Sequence, residues 1–244
     1  GKTMLSVLEE AGLCTNVVRG SVEDKKLNLK FTVDKKIGAK ITGMLGKKGT
    51  LEKSFYEKLD KTKLEEEPGF KIFMFHSALT ELKPERLDKM DSSPLSYLPK
   101  NFDYYAGGHV HIVKDTSMEG YKNIVYPGPL FPNNFRELED LKRGGFYIYD
   151  NGKITFQPIQ VKNVFPIKIN ADHKTPEEVQ AELQVKIKDK QFINTILLIR
   201  IEGTLESGNS SDINLRKIYN ELYEKSAYFV LKNTYKLETK EFKE

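Results

Sequence analysis

The sequence predicts an α/β fold, on three observations. Strand, loop and helix patterns alternate as far as residue 111, and the apolar run FKIFMF at 70–75 has the length and character of a buried strand. From about Phe165 the pattern restarts as a compact β-α-β-α-β unit. Two domains are therefore expected, over residues 1–162 and 163–244. Of the 244 residues 39% are hydrophobic and 11% aromatic, enough to build sizeable cores, which excludes disordered and low-complexity classes. The 17 glycines and 10 prolines follow no period, which excludes a collagen-like chain.

The opening reads as a helix: Thr3 can cap it, Met4, Leu5, Val7, Leu8 and Ala11 form an apolar stripe, and Gly12 suits its end. So abrupt a start predicts that a segment upstream has been removed. Leu27, Leu29, Phe31 and Val33 alternate with polar residues as in a strand, and Ala39 to Met44 reads as another. A charged helix is expected over Thr50 to Glu66, stopped by Pro68-Gly69, and the buried strand 70–75 places His76 at its C-terminal end. A loop with Pro84, Pro94 and Pro99 leads to a short strand, Phe102 to Ala106, and then Gly107-Gly108-His109-Val110-His111. The Pro-rich stretch 126–138 reads as a turn, and FYIYD and Lys153 to Val161 flank the hairpin signal Asn151-Gly152. In the second domain Val164 to Asn170 is a strand and Thr175-Pro176-Glu177-Glu178 a capping box. Gln191 to Glu202 is strand-like, Ser211 or Asp212 caps a helix burying Ile213, Leu215, Ile218, Tyr219 and Leu222, and Tyr228 to Leu231 is the last strand.

Net charge of +4 neither demands nor excludes a nucleic acid, because basic and acidic residues are balanced in both parts, 24 to 22 up to residue 150 and 15 to 13 beyond. The lone Cys14 cannot form an internal disulfide, and no apolar run approaches a membrane span or a signal peptide. An intracellular protein with no membrane association is expected.

The four histidines carry the chemical signal. In an extended segment His109 and His111 would point to one face, and Gly107-Gly108 allows close backbone approach. His76 also ends a strand, and open α/β sheets gather functional groups at strand C-termini. Neutral imidazole ligates Mn, Fe, Zn and similar ions, so His76, His109 and His111 are the candidate metal ligands. The alternative for each is an ordinary half-buried histidine bonded to backbone, the reading kept for His173.

The run Asp103 to His111, the strand ending Phe75-His76, and Val125-Tyr-Pro-Gly-Pro-Leu-Phe131 resemble the second half of calcineurin-like metallophosphoesterases. More narrowly they resemble the SbcD-type nuclease subunit of the archaeal and bacterial double-strand-break repair complex. Ala11-Gly12-Leu13, Ile41-Thr42-Gly43 and the appended β-α-β-α-β unit resemble that subfamily's layout, so the likeness covers nearly the whole chain. It implies the later half of a metallophosphoesterase β-sandwich flanked by helices, with a small α+β capping, DNA-binding domain. His76 and His109 resemble ligands of one metal, and His111 a ligand of the other, in a pair of Mn²⁺ ions per subunit of the complete protein. Also implied are 3′ to 5′ exonuclease and endonuclease action on double-stranded DNA ends, an SMC-like coiled-coil ATPase partner, a homodimer and a cytoplasmic, nucleoid-associated location.

The sequence departs from the family pattern in lacking Asp-x-His, Gly-Asp and Gly-Asn-His-Asp, which hold the family's other ligands and its leaving-group acid. It resembles a chain that starts just after the third motif. Three imidazoles without a bridging carboxylate predict weak Mn²⁺ binding and a nearly inactive chain, and a missing half of the sheet predicts exposed apolar faces. A non-catalytic DNA- or partner-binding module with a vestigial metal site is the second reading, and a phosphoesterase acting on nucleotides or phosphoproteins the third. Three lesser features each have two readings. The opening helix is a dimer element or a core helix; Lys47-Lys48 and Lys142-Arg143 touch phosphates or are solvated; 126–135 flanks the metals or is a packing turn.

Overall fold

The computed structural model describes residues 4–46 and 51–240, with the side chains of 51 and 52 left aside. The expectations for Thr3, Lys47-Lys48 and Thr50 lie outside the described residues. The fold is mixed α/β, as expected, and divides into two compact units: 1–128 with 146–157, and 129–145 with 158–244. The segment 129–145, placed by the sequence reading before residue 162, thus groups with the later unit.

In the first unit, β3 (Thr32–Val33), β4 (Lys40–Gly43), β5 (Lys71–His76), β6 (Tyr104–Gly108), β8 (Tyr121–Pro127) and β7 (Val113–Met118) form a six-stranded sheet in that order. Strands β4, β5, β6 and β8 are parallel, and β3 and β7 are antiparallel edges. Because the central strands run together, their C-terminal ends share one sheet edge, and those of β5 and β6 carry the histidines. Helices α2 (Leu51–Glu57) and α3 (Thr62–Glu66) replace the single helix expected over 50–66. The break arises because the backbone at 58–60 pairs elsewhere: Leu27 donates to Lys58 O and Asp60 donates to Leu27 O. Lys71, buried at the start of β5, donates through Nζ to the carbonyls of Leu64 and Glu65, satisfying the end of α3.

Three expectations in this unit are corrected. The stripe of α1 (Met4–Glu10) is not core, since the helix buries no residue and Met4 is 76% exposed. Leu27 to Val33 is not one strand but β2 (Lys26–Lys30) and β3, and β2 pairs with the polar β1 (Arg19–Glu23) across a turn with Asp24 and Lys25 at positive φ. The apolar run of β5 is not buried on both faces: Phe73 and Phe75 are buried while Met74 is 43% exposed. The hairpin β9 (Gly144–Asp150) and β10 (Lys153–Ile159) turns at Asn151-Gly152, both at positive φ as a primed two-residue turn requires. Tyr149 of this hairpin packs its ring against Phe70 and Tyr104, and Tyr147 donates to Asp115.

In the second unit, β11 (Asn163–Asn170), β12 (Thr195–Leu205) and β13 (Phe229–Asn233) are parallel in that order, and β14 (Leu237–Thr239) pairs with the far end of β12. Ile167, Ile169, Leu197, Ile199 and Ile201 pack in one core with α5 (Pro176–Ile187) and α6 (Leu215–Glu224). The capping box at Thr175 and Glu178 is present. Helix α6 is capped by Asn214, which accepts from Lys217 N, and not by Ser211 or Asp212; those residues form a short 3₁₀ turn with its own Asn209–Asp212 box. The opposite parity of β11 and β12 meets α4 (Phe135–Leu141): Glu139 takes a bidentate bond from Arg200 at 3.0 and 2.6 Å and an ion pair from Lys168 at 3.5 Å.

Candidate metal centre

Strand β5 reaches the sheet edge with Phe75 buried and His76 exposed, and His76 is in register with Gly108 on β6. The chain after His76 is held from β8: Tyr126 Oη donates to Ser77 O at 2.7 Å and accepts from Leu79 N at 3.2 Å. Its ring meets Phe75 edge-on at 5.6 Å, a contact that Gly107 permits, since a Cβ there would lie 2.7 Å from Phe75 and 2.8 Å from Tyr126. Tyr126 was legible only as part of a Pro-rich turn. Its anchoring role has no signal in sequence spacing.

Strand β6 ends at Gly108, and His109 adopts φ +80°, a left-handed conformation that costs of order 1–3 kcal/mol in a non-glycine residue and collects at functional sites. The turn brings the His109 imidazole to the His76 imidazole, ring centroids 5.2 Å apart at 65°. It also cancels the strand alternation that would have put His109 and His111 on one face. Val110 and Ile112 are buried on either side of the exposed His111. His76 and His109 are thus brought together, and His111 is not gathered with them: among the described residues, no three His, Cys, Asp or Glu side chains are placed to hold a metal.

The donor set fits a metal in part. Two imidazoles bound through nitrogen to one tetrahedral ion at about 2.1 Å have ring centroids about 5 Å apart, the spacing of this pair. Glycines leave room for the same ring, since a Cβ on Gly108 would lie 2.8 Å from His76 Nδ1 and one on Gly46 2.6 Å from Cδ2. Among the described residues no carboxylate joins the pair in a metal-holding group, so within that set it supplies nitrogen donors and no neutralising charge.

The remaining candidates lie in the second unit. His173 sits at φ +61° in the turn after β11, beside Asp172, whose carboxylate accepts from Thr204 N at 2.7 Å. Lys142 is the left-handed C-cap of α4, its N–H bonded to Leu138 O. Of the stretch 126–135, the first three residues belong to the first unit and the rest to the second, where Leu130 and Phe131 are exposed.

Comparison with known proteins bears on this geometry. The chain is similar to a DNA-repair protein. Over 203 residues it is 24% identical to the DNA double-strand break repair protein Mre11 of Methanopyrus kandleri, a match covering 79% of this chain and 43% of the relative. The chain thus spans less than half the length of the curated relative it matches. No protein-family model matches. Among the described residues no helix is long and apolar enough to cross a membrane.

Proposed function

We propose that this chain is part of a metal-dependent phosphodiesterase of the metallophosphoesterase class, a nuclease acting on DNA in double-strand-break repair. The observation that carries the proposal is the His76–His109 pair, two imidazoles at the C-terminal ends of adjacent parallel strands, one of them held in a strained left-handed conformation. The similarity to a double-strand break repair protein supports the substrate class. In this reading His76 and His109 hold one Mn²⁺, and His111 a second, in the complete protein. Bound divalent ions supply Lewis-acid stabilisation of phosphoryl oxygens and a water of lowered pKa. The chain's own contribution is positional: Tyr126 fixes the backbone beyond His76, φ +80° aims His109, and the buried Val110 and Ile112 seat the loop carrying His111.

The finer assignments rest on the same reading: 3′ to 5′ exonuclease and endonuclease action, double-stranded DNA ends as substrate, an SMC-like ATPase partner, a homodimer and a cytoplasmic, nucleoid-associated setting. So does the division into a nuclease part over 1–162 and a capping, DNA-binding domain over 163–244. Calorimetric titration with Mn²⁺ and Co²⁺ tests the metal assignment. Weak binding is expected, lost in His76→Ala/His109→Ala; unchanged binding in that variant overturns it. Robust DNA cleavage that persists in the His111→Ala chain would separate any nuclease activity from this centre.

A second reading, a DNA- or partner-binding module with a vestigial site, is favoured by the absence of a third ligand beside the pair among the described residues. It predicts DNA affinity with steep salt dependence that is indifferent to chelator.

A further inference from the structure

We infer that the edge of the second unit's sheet where its strands begin is a docking surface for a partner protein, one that presents apolar anchors between acidic residues. The surface is formed by Val161, Ile193, Tyr228 and Phe229, which are between 50% and 69% exposed. Scattered exposed apolar residues are ordinary, but these four fall together. Val161 and Ile193 stand two residues before Asn163 and Thr195, which are in register, and Phe229 is in register with Ile196. Ile193 also bridges to Ala227, next to Tyr228. Because β11, β12 and β13 run parallel, their starts share one edge, and each start contributes at least one of the four side chains.

The edge is braced. Lys162, before β11, donates through Nζ to Oδ1 of Asn194, before β12, and its ammonium lies 3.9 Å from the centre of the Tyr228 ring. One side chain thus spans all three strand starts. The loops behind are tied as well: Phe192 N donates to Lys225 O at 2.9 Å, and Lys225 Nζ donates to Lys188 O at 2.6 Å. A surface ordered before binding loses little freedom when a partner docks.

Charge selects the partner. The segments 160–163, 188–195 and 225–229 contain four lysines, Lys162, Lys188, Lys190 and Lys225, and one acid, Asp189. Lys225 is paired with Glu221 of α6 at 4.0 Å, which leaves three lysines against one acid. That excess suits an acidic partner. A nucleic acid would use the cations and the rings, but Val161 and Ile193 offer it neither a stacking face nor a donor. Aliphatic and aromatic side chains in one patch with a charged margin make up a protein interface. The surface lies in the second unit, whereas His76 and His109 lie in the first, and docking there needs no metal.

The test uses the full ¹⁵N-labelled chain in the presence of chelator, with three probes: a peptide in which Asp and Glu are interleaved with Leu and Phe, the same peptide with Lys in place of the acids, and oligothymidylate. The acidic peptide is expected to shift the amides of 161–163, 193–195 and 226–229, and to bind more weakly as ionic strength rises from about 0.1 to about 1 M. Ile193→Ser and Phe229→Ser should each weaken it about tenfold, while hydrogen exchange in β11 and β12 stays unchanged. Lys162→Glu should weaken the acidic peptide and strengthen the lysine peptide. Absence of shifts at these strand starts overturns the inference, as does equal affinity for the two peptides. Oligothymidylate that shifts the same amides and displaces the acidic peptide also overturns it, and assigns the edge to nucleic acid.

Discussion

The buried side chains of the first unit mix aliphatic residues with many aromatics, among them Phe73, Phe75, Phe102, Tyr105, Tyr121 and Tyr126, whereas those of the second are aliphatic, with Phe192 the one aromatic in its buried set among the described residues. The difference follows what each core has to hold. In the second unit the crossovers between parallel strands are the helices α5 and α6, which satisfy their own backbones, so the core needs only volume. In the first unit β5 passes to β6 through residues 77–103, which contain three short 3₁₀ turns and no α-helix. Its carbonyls must be bonded by other means. Buried phenols do this: Tyr105 donates to Pro99 O at 2.7 Å, Tyr121 to Leu98 O at 3.3 Å and Tyr126 to Ser77 O at 2.7 Å. Glu81 adds a carboxylate that accepts from Leu95 N. Irregular backbone next to the histidines is thus ordered by tyrosine hydroxyls.

Four substitutions break or sharpen this contrast. The largest effect is expected from Phe73→Ala, which removes a fully buried ring from the aromatic core and should cost about 3–5 kcal/mol in denaturant unfolding. Hydrogen exchange should show the loss concentrated in the first unit; equal loss of protection in β11–β13 would mean that the two cores are one cooperative structure.

Next is Arg200→Ala, about 3 kcal/mol, which strands the buried Glu139 carboxylate with only the exposed Lys168 beside it. Bonding to Arg200 holds the Glu139 carboxyl below the ordinary carboxylate range. With its pKa depressed in the folded state, the pair stabilises fully above the unfolded carboxylate pKa and loses that stabilisation as pH falls through the folded value. The wild-type chain should therefore lose stability on acidification more steeply than Arg200→Ala, as melting temperatures across pH 3 to 7 would reveal.

Tyr126→Phe keeps the ring and deletes two hydrogen bonds, so about 2 kcal/mol is expected, with faster exchange at Leu79 and weaker metal binding. If only stability moves, the phenol braces the loop without serving the histidine. The smallest effect belongs to His109→Asn. Asparagine tolerates the left-handed conformation, so stability should change by less than about 0.5 kcal/mol while Co²⁺ binding falls. A large destabilisation would make His109 a packing residue.

Much of the fold was legible before any coordinates. The continuous run at 70–75 located β5, the Thr175–Glu178 box located the start of α5, and Asn151-Gly152 located the hairpin turn. Strands without an apolar period, such as β1 (RGSVE) and β7 (VKDTSM), were not, because their pairing comes from a neighbour and not from their own side chains. The helix expected over 50–66 breaks where Leu27 takes its backbone, a partner 31 residues away from Lys58 in the chain that no local pattern announces. Of the three histidines the sequence offers as candidates, the structure brings His76 and His109 together and sets His111 apart.

Composition and spacing were enough to establish the mixed α/β class, the restart near residue 165 and the histidines at strand ends, because these depend on local periodicity and on where strands stop. Which imidazoles meet depended on the left-handed turn at His109 and on the register of β5 against β6. Those are contacts between distant segments. They are set by the assembled backbone, whose positions no window of neighbouring residues contains.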